Sequence, residues 1–462
     1  MGGLRESAMG ARPRVRRDEK VIQVKVHDEA VLGVIPRDFI GLGYEISSVA
    51  RPNLLSATNQ VYVQMVKTLG AAGVIRVGGN TADYSTYREG GPAVSAPKST
   101  VVDRESLRQL GTFLEATGWT LIWGLNLGQG TEREAIEEAQ AVSEAAKQRL
   151  LALEIGNEVD LFPHEGHRQA SYDFGSYLQE YRRFKKLIRE KLPHAMFAGP
   201  DVAGETDWVR QFADAEAGDL KLLTHHYYRG GQSPASSLEM LFQPDPKLAP
   251  ILSALRATSS GCKVPYRICE TNSFSGGGRP GVSGTFGAAL WVLDYMFTLA
   301  SYDAAGVNIE TGVNQRGFVS SYSPIGDDEH GTYRAMPEFY GMLAFSQASD
   351  GRRVAVEAER GGYNVSSYAV RKGREVVVTL INKDQARRVS IEVACGGPIG
   401  RATAMRLVGP SLTSATGVTL GGASVTADGQ WRPGPPEVLR RDAAGVHIAL
   451  PEGSAALVTL EV

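Results

Sequence analysis

The stretch LALEIGNE, residues 151–158, is an apolar run that ends in an asparagine and a glutamate. A second stretch, VPYRICETNS at residues 264–273, carries Glu270 where its own apolar run gives way to polar residues. Parallel strands of a closed barrel end at one common rim, and catalytic side chains are found at that rim. The two stretches therefore predict two barrel strands that place Glu158 and Glu270 at the same end of a barrel.

Runs of the same kind recur between residues 34 and 348, and amphipathic segments separate them. Strands that alternate with helices over this length predict a (β/α)₈ TIM barrel of the α/β class. An open doubly wound sheet is the alternative, but that fold more often carries a phosphate-binding glycine motif in its first turn, which this sequence lacks. The predicted strands cover residues 38–46, 73–78, 120–127, 150–157, 196–202, 220–228, 266–271 and 304–310.

Beyond residue 349 the chain changes to short alternating strands, which turns rich in glycine and aspartate separate. Residues 21–26 alternate in the same way before the barrel begins. We therefore predict a β-sandwich domain formed by residues 349–462 together with an N-terminal strand at residues 20–33. Residues 34–348 then form the catalytic barrel, and the arginine-rich residues 1–19 are expected to be disordered or flexible.

The composition is that of an ordinary globular protein of 462 residues with a formal net charge of −2. This charge implies no general affinity for nucleic acid or acidic membranes, and no apolar run is long enough to predict a membrane span. Cys262 and Cys269 flank one predicted strand, so a bond between them is the alternative to free thiols; with Cys395 the chain has three cysteines. Because the N-terminus lacks the apolar core of a secretory signal, we expect a cytoplasmic protein or the mature form of a secreted or periplasmic one.

The two rim glutamates determine the predicted chemistry. Glu158 closes the fourth predicted strand and Glu270 the seventh, so the two side chains are expected to face each other across the barrel. Two facing carboxyl groups, one protonated and one ionised, are the usual equipment for cleaving a glycosidic bond. Arg76, at the end of the second strand, is expected to keep Glu270 ionised, and Asn157 offers an amide to a sugar hydroxyl. The sequence thus predicts a glycoside hydrolase that needs neither a metal nor an organic cofactor.

Several strings that occur in order along the predicted barrel resemble glycoside hydrolase family 79, the β-glucuronidase and heparanase family of clan A. They are RVGGNTAD (76–83), EIGNE (154–158), HHYY (225–228), ETNS (270–273) with GGG (276–278) and GTFGAALW (284–291), and SYSPI (321–325). The resemblance implies a barrel with a β-sandwich. It also implies hydrolysis of terminal β-D-glucuronic acid from oligosaccharides or glycoconjugates through a covalent glycosyl-enzyme, with a carbohydrate as the binding partner.

The resemblance also implies a role for individual residues. Glu158 would be the general acid/base, Glu270 the nucleophile, and Tyr227 the hydrogen-bond donor that orients the nucleophile. Side chains at the ends of the first, second and fourth strands would bind sugar hydroxyls, and a glycine loop with a tyrosine would hold the uronate carboxylate. These substrate-binding positions are Glu45, Asn80, Asn157, Gly276, Gly277 and Tyr322.

One position departs from the family pattern. Ser275 stands five residues after the predicted nucleophile, where relatives carry a tyrosine, so a contact with the uronate group is altered. Hydrolysis of a neutral or modified sugar is therefore an alternative to β-glucuronidase activity, and endo-cleavage of heparan-type chains is another. The alternative from a different class is a carbohydrate-binding protein on the same fold that has no catalytic activity.

Two further features have competing interpretations. The pair His225–His226 suggests a metal ligand set, but adjacent residues on a strand point to opposite faces, so we expect packed or hydrogen-bonded side chains and no metal. Trp123, within the third strand, is the tryptophan that we expect to line the cleft.

Overall fold

The structure is a computed structural model that describes residues 21–90, 99–312, 320–328 and 331–462. The segment 1–19, for which disorder is predicted, lies outside these residues.

In the described part of the chain, eight parallel strands close into a barrel, which confirms the predicted (β/α)₈ fold. Each strand lies beside the next one in the sequence, and the eighth strand closes the ring by pairing Val307 with Ile40 of the first. The strands are Ile40–Glu45, Val74–Gly78, Thr120–Leu125, Leu150–Ile155, Phe197–Val202, Leu220–Gly230, Tyr266–Phe274 and Gly306–Glu310.

A helix follows each barrel strand and covers the outside of the barrel. Local sequence signals set where several of these helices begin: the side chains of Asp103 and Asp173 accept the N–H groups of Ser106 and Ser176, as N-caps do. The helices are Gln60–Leu69, Arg104–Thr117, Glu132–Ala146, Phe174–Lys191, Thr206–Glu216, Leu248–Cys262, Phe286–Ser301 and Pro337–Ser349. Shorter helices at Ile46–Val49, Phe162–Glu165 and Leu238–Phe242 lie in the loops.

The interior of the barrel changes from apolar to charged towards the rim. Small apolar side chains fill its middle, namely Val74, Ile122, Ala152, Ala198, Leu222 and Cys269. Because inward-facing positions recur every second residue, the next inward position after Val74 is Arg76, and the one after Ala152 is Glu154. A layer of charged groups therefore rests on an apolar floor that excludes water from below.

The second domain is an eleven-stranded sheet, in the described residues, to which both ends of the chain contribute. Strand Ile22–Val34 joins this sheet, as the sequence predicted, and the structure shows its partners: it pairs in parallel with Val389–Cys395 and antiparallel with Arg352–Ala358. Side chains from strands at distant places in the sheet share one apolar core, so the sheet folds over on itself like a sandwich. Its other strands are Val365–Lys372, Glu375–Asn382, Ala402–Val408, Thr419–Leu420, Glu437–Val438, Arg440–Arg441, Val446–Leu450 and Ser454–Glu461.

Cys262, Cys269 and Cys395 are all free thiols, so the alternative bond between the first two is not formed. Within the described ranges, every helix is too short or too polar to cross a membrane.

Candidate active site

The two predicted catalytic glutamates lie together at the rim of the barrel. Glu158 follows the fourth strand, and Glu270 lies in the seventh. A carboxyl oxygen of each lies within 4.8 Å of the other and of a ring nitrogen of His226. Glu158 has a left-handed backbone (φ 49°), which is uncommon for a residue with a side chain, and its N–H donates to the carbonyl of Asp201 at 2.8 Å. This bond to the fifth strand fixes the turn that aims Glu158 into the cleft.

Arg76 is a fully buried cation that ties the rim carboxylates together. Its Nη1 donates to Glu270 Oε2 at 2.8 Å, and its Nη2 donates to Asp201 Oδ2 at 2.6 Å and to Asn157 Oδ1 at 2.7 Å. Its Nε lies 3.4 Å from Glu154 Oε2. The structure thus places Arg76 beside Glu270, where the sequence led us to expect it, and also makes it the common donor for three further side chains.

His226 links Glu158 to the buried Asp201. Its Nε2 lies 2.8 Å from Asp201 Oδ1, and its Nδ1 lies 3.1 Å from Glu158 Oε1. Although burial opposes it, the negative charges of Asp201 and Glu270 raise the pKa of His226 well above its usual value. This shift favours the imidazolium form of His226, in which both ring nitrogens donate. Although burial opposes it too, Arg76 and His226 hold the pKa of Asp201 below its usual value.

The two glutamates lie in different environments, as two carboxyl groups with different catalytic roles require. Burial raises the pKa of Glu158, the His226 hydrogen bond opposes this rise, and the charge of Glu270 adds to it. Glu270 instead receives hydrogen bonds from Arg76 and, at Oε1, from the hydroxyl of Tyr228 at 2.9 Å. Donors therefore reach both oxygens of Glu270, whereas burial favours the protonated form of Glu158.

The predicted contact between Tyr227 and Glu270 is wrong, and Tyr228 makes it instead. The Tyr227 hydroxyl donates to Asp245 Oδ2 at 2.6 Å, and its ring stacks on Tyr295 outside the barrel. Side chains alternate along a strand, so His226 and Tyr228 share the inner face of the sixth strand while Tyr227 faces outward.

The sugar-binding positions predicted around the first two strands lie beside the catalytic pair. Glu45 Oε2 accepts hydrogen bonds from the backbone N–H and the hydroxyl of Thr81 at 2.7 and 2.6 Å. Burial, reinforced by the charge of Glu270, raises the pKa of Glu45 to about 7. The Asn157 side chain approaches Asn80 Oδ1 at 3.4 Å. Glu45, Asn80 and Asn157 are thus brought together on one side of the cleft.

The glycine loop lies against Tyr322 on the other side. Gly276, Gly277 and Gly278 have φ values of 70°, 83° and 83°, a left-handed run that side chains would strain. The carbonyl of Gly277 accepts the N–H of Tyr322 at 3.4 Å, and the Tyr322 ring stacks on Tyr228 with centroids 6.4 Å apart. Ser275 is half-buried and pairs its N–H with the carbonyl of Gly230 at 2.8 Å.

Two other expectations are settled by the packing. Trp123 does not line the cleft: it is fully buried, and its Nε1 donates to Glu138 Oε1 at 2.9 Å under the helix Glu132–Ala146. His225 points away from His226 and is buried, and burial lowers its pKa to about 4, so it is a neutral packed side chain.

Two clusters place three potential metal-ligand atoms within 4.8 Å of one another: Glu158 with His226 and Glu270, and Glu154 with Asp201 and Cys269. In the first, both ring nitrogens of His226 already point at carboxylate oxygens, which leaves no nitrogen lone pair for a metal. In the second, burial raises the pKa of the Cys269 thiol, so the thiolate that a metal requires is disfavoured.

Sequence reasoning missed three buried acids at the rim: Glu154, Asp201 and Glu310. Burial and the charge of Asp201 raise the pKa of Glu154 to about 8. Asp201 and Glu310 each lie at or next to the end of a barrel strand, which is the same signal that singled out Glu270. Applied to every strand, that signal would have found both.

The chain is similar to proteins of known function in sequence. It is 28% identical to a β-glucuronidase of Aspergillus niger over 353 residues, 66% of this chain and 63% of the relative. It is 27% identical to the heparanase of Mus musculus over 282 residues, 57% of this chain and 50% of the relative. A β-glucuronidase of Neurospora crassa is 26% identical, with 70% of this chain and 65% of the relative covered. The chain therefore aligns with less than two thirds of each of these relatives. No protein-family model matches the chain.

Solved structures show the same architecture. A 4-O-α-L-rhamnosyl-β-D-glucuronidase from Fusarium oxysporum superimposes with a TM-score of 0.78 at 18% identity, covering 94% of this chain and 100% of that structure. An α-L-arabinofuranosidase from Thermotoga maritima superimposes with a TM-score of 0.70 at 13% identity, covering 96% and 100%.

The fold places this chain in the class of (β/α)₈ barrels with an attached β-sandwich, the architecture on which these glycosidase structures superimpose. Within that class, the sequence relatives confirm its resemblance to the β-glucuronidase and heparanase family, glycoside hydrolase family 79.

Proposed function

We propose that this protein is a retaining β-glycosidase that removes terminal β-D-glucuronic acid from oligosaccharides or glycoconjugates. The observation that carries the proposal is the approach of Glu158 and Glu270 to within 4.8 Å at the barrel rim, where burial raises the pKa of Glu158 while Arg76 and Tyr228 donate hydrogen bonds to Glu270. In retaining glycosidases the two carboxyl groups lie about 5–5.5 Å apart, and one of them attacks the sugar directly. Inverting enzymes need a wider gap, because a water molecule must fit beside the general base.

The reaction runs in two displacements. Glu158 gives its proton to the glycosidic oxygen while Glu270 attacks the anomeric carbon, so the bond to the leaving group breaks as the bond to Glu270 forms. Glu158, now ionised, takes a proton from water, and the resulting oxygen nucleophile displaces Glu270 from the anomeric carbon. Two inversions return the original configuration, and both glutamates regain their starting protonation states.

The buried ion pairs prepare both steps. Arg76 stabilises the ionised Glu270 before attack, and Tyr228 fixes the carboxylate plane. His226 approaches the same carboxyl of Glu158 that gains a negative charge in the first step, so its positive charge limits how far burial can raise the pKa of the acid. A preorganised environment of this kind contributes most where water is excluded.

Three observations favour a glucuronide as the substrate. The sequence relatives include proteins named β-glucuronidase. The glycine loop at Gly276 and Gly277 and the hydroxyl of Tyr322 supply the kinds of donors that suit a carboxylate. The net charge of −2 does not favour a long sulfated polymer, which suits a basic groove better. Against these observations, Ser275 stands where relatives carry a tyrosine, so one of the family's contacts with the uronate group is altered.

The proposal is tested by hydrolysis of nitrophenyl β-glucuronide, β-glucoside and β-galactoside, with product anomers followed by NMR. We expect turnover of the glucuronide with release of the β-anomer first. Release of the α-anomer would contradict the retaining mechanism, and turnover of the glucoside alone would assign a neutral-sugar specificity. Absence of turnover with all three would contradict exo-glycosidase activity.

Replacing Tyr228 with phenylalanine is expected to lower kcat by about 10–100-fold, because Glu270 loses the donor to Oε1 and a hydrogen bond to a charged group contributes about 1.5–3 kcal/mol. Tyr227→Phe is the matched control: it removes a hydroxyl that bonds Asp245 outside the barrel, so kcat should stay within a few-fold of the parent. Steady-state kinetics of both variants make the comparison. A larger loss in the Tyr227 variant would contradict our placement of the two tyrosines.

Replacing His226 with glutamine is expected to move the basic limb of the kcat/KM profile to higher pH. The histidine hydrogen bond lowers the pKa of Glu158 against the effect of burial, so its removal lets that pKa rise and the acid stays protonated further into alkaline solution. The measurement is kcat/KM against pH for both proteins. His225→Gln, which changes the neighbouring packed ring, should leave the limb in place; a limb that moved equally in both variants would show a general structural effect.

A further inference from the structure

Glu310 is a buried carboxyl at the rim to which the proposed mechanism assigns no role. It ends the eighth strand and is 3% exposed. Asn308, two residues earlier, points into the barrel, where its Nδ2 donates to the carbonyls of Leu42 and Val74 at 3.1 and 2.9 Å. Alternation along the strand puts Glu310 on the same inner face, one layer nearer the rim. Among the described residues, neither of its carboxyl oxygens has a hydrogen-bond partner.

Among the residues that the structure describes, acids and phenols surround Glu310, and the two nearby cations already pair with other carboxyl groups. Arg76 is occupied by Glu270, Asp201, Asn157 and Glu154, and His226 points both nitrogens at other carboxylates. Within the described ranges, the titratable groups that interact with Glu310 are Tyr44, Glu45, Arg76, His226, Tyr228, Glu270 and Tyr322. Burial, together with the charges of Glu270 and Glu45, raises the pKa of Glu310 well above its usual value, which favours the protonated form with an O–H to donate.

A buried polar group without a partner costs free energy, and such groups in native proteins are normally satisfied by a ligand, an ion or water. Glu310 interacts electrostatically with Glu270, Glu45 and Tyr322, so it belongs to the same group of side chains as the proposed nucleophile. An anionic acceptor suits it best, because an O–H donor and a carboxylate form a short, charge-assisted hydrogen bond.

We propose that Glu310 is a specificity-determining residue that donates a hydrogen bond to the carboxylate of the bound uronic acid sugar. The inference rests on the proposed function, since it concerns the sugar that Glu270 attacks. It explains how a site crowded with acidic side chains accepts a further negative charge: the nearest acid is a donor and not a second anion. Ionisation of Glu310 at high pH would turn the same contact into a repulsion.

Titration calorimetry with D-glucuronate and its neutral amide, glucuronamide, tests the inference directly. In the parent protein the preference for glucuronate over glucuronamide should fall as pH rises and Glu310 loses its proton. In Glu310→Gln, whose amide N–H still donates, the preference should persist and no longer fall with pH. In Glu310→Leu, which has no donor, glucuronate binding should weaken roughly tenfold or more, with a smaller loss for glucuronamide. A preference that falls with pH in Glu310→Gln as in the parent would assign the titration to another group, such as Glu45, and overturn the proposal.

Glu338→Gln is the matched control. Burial raises the pKa of Glu338 to about 8 as well, but this carboxyl accepts a hydrogen bond from Asn272 at the start of the helix Pro337–Ser349 and does not face the cleft layer. Its replacement should leave the pH-dependent preference unchanged. A parent protein that hydrolyses β-glucuronides but binds the two ligands equally at every pH overturns the inference and leaves the proposed function intact. Selective, pH-dependent binding of glucuronate without hydrolysis would support the role of Glu310 and contradict the proposed function.

Discussion

Replacing Glu270 with glutamine is expected to lower kcat for nitrophenyl β-glucuronide by at least about 10⁴-fold, because a neutral amide cannot form the glycosyl-enzyme. A good leaving group such as nitrophenolate does not restore activity, because the variant lacks the nucleophile that attacks the anomeric carbon. Glutamine keeps the size of the side chain and still accepts from Arg76, and Arg76 retains Asp201 as its ionised partner, so the fold should survive. Steady-state kinetics and thermal unfolding of the same preparation separate lost chemistry from lost structure.

The outcome can be checked on the intermediate itself. A 2-deoxy-2-fluoro glucuronide with a good leaving group should label the parent protein with one sugar, on the peptide that contains Glu270, as seen by mass spectrometry. The Glu270→Gln variant should remain unlabelled. Near-normal turnover in that variant, or a label on Glu158, would refute the assignment of the nucleophile.

The fold could be predicted from the sequence because its signals are local. Apolar runs that alternate with amphipathic segments predict eight barrel strands. The run at residues 21–26, where apolar and polar residues alternate, predicts a further strand, which pairs with Val389–Cys395 more than 350 residues away. That this strand joins the C-terminal sheet is predicted from the alternation of apolar and polar residues that both share, because no motif in the sequence identifies its partner strand. Glu158 and Glu270 could be placed because each stands directly where an apolar run ends.

The sequence does not show whether a side chain of a barrel strand points into the barrel or out of it. Both faces of a parallel barrel strand are buried, so its sequence is continuously apolar and shows no alternation between inside and outside. The sequence HHYY at 225–228 establishes that Tyr227 and Tyr228 face opposite ways, but not which of them faces the cleft. Trp123 was misplaced for the same reason: its neighbours Ile122 and Gly124 occupy the inner positions.

The strand-end signal finds Asp201 and Glu310 as residues, but it does not show which partners the buried acids have. Arg76, from the second strand, reaches both Asp201 and Glu154, and His226 also pairs with Asp201. A buried cation and its partners depend on distances between strands that are remote in sequence, and breaking such a pair costs about 3–5 kcal/mol. The same arrangement leaves Glu45, Glu154 and Glu310 with raised pKa values, whereas Arg76 and His226 lower the pKa of Asp201 against the effect of burial.

Replacing Glu158 with glutamine is expected to have an effect that depends on the leaving group, and this dependence identifies the acid/base. An alkyl glucuronide needs a proton on its departing oxygen, so its hydrolysis should fall by about 10²–10⁴-fold. Nitrophenolate leaves without a proton, so the first displacement should survive, followed by slow hydrolysis of the glycosyl-enzyme that Glu158 no longer assists. Stopped-flow kinetics should therefore show a burst of nitrophenol followed by slow turnover, with the basic limb of the pH profile lost.

Azide tests the same role independently, because a small anion needs no general base and is no longer repelled once the Glu158 carboxylate is replaced by a neutral amide. We expect azide to restore turnover of nitrophenyl β-glucuronide in Glu158→Gln and to yield the β-configured glucuronyl azide, identified by NMR. The control variant Glu205→Gln, an exposed glutamate in the loop that Asp160 caps, should neither show a burst nor respond to azide. An α-configured azide would mean that azide attacks the substrate itself and not a glycosyl-enzyme. Equal losses for the alkyl and nitrophenyl substrates without azide rescue would show that Glu158 positions the sugar and does not transfer the proton.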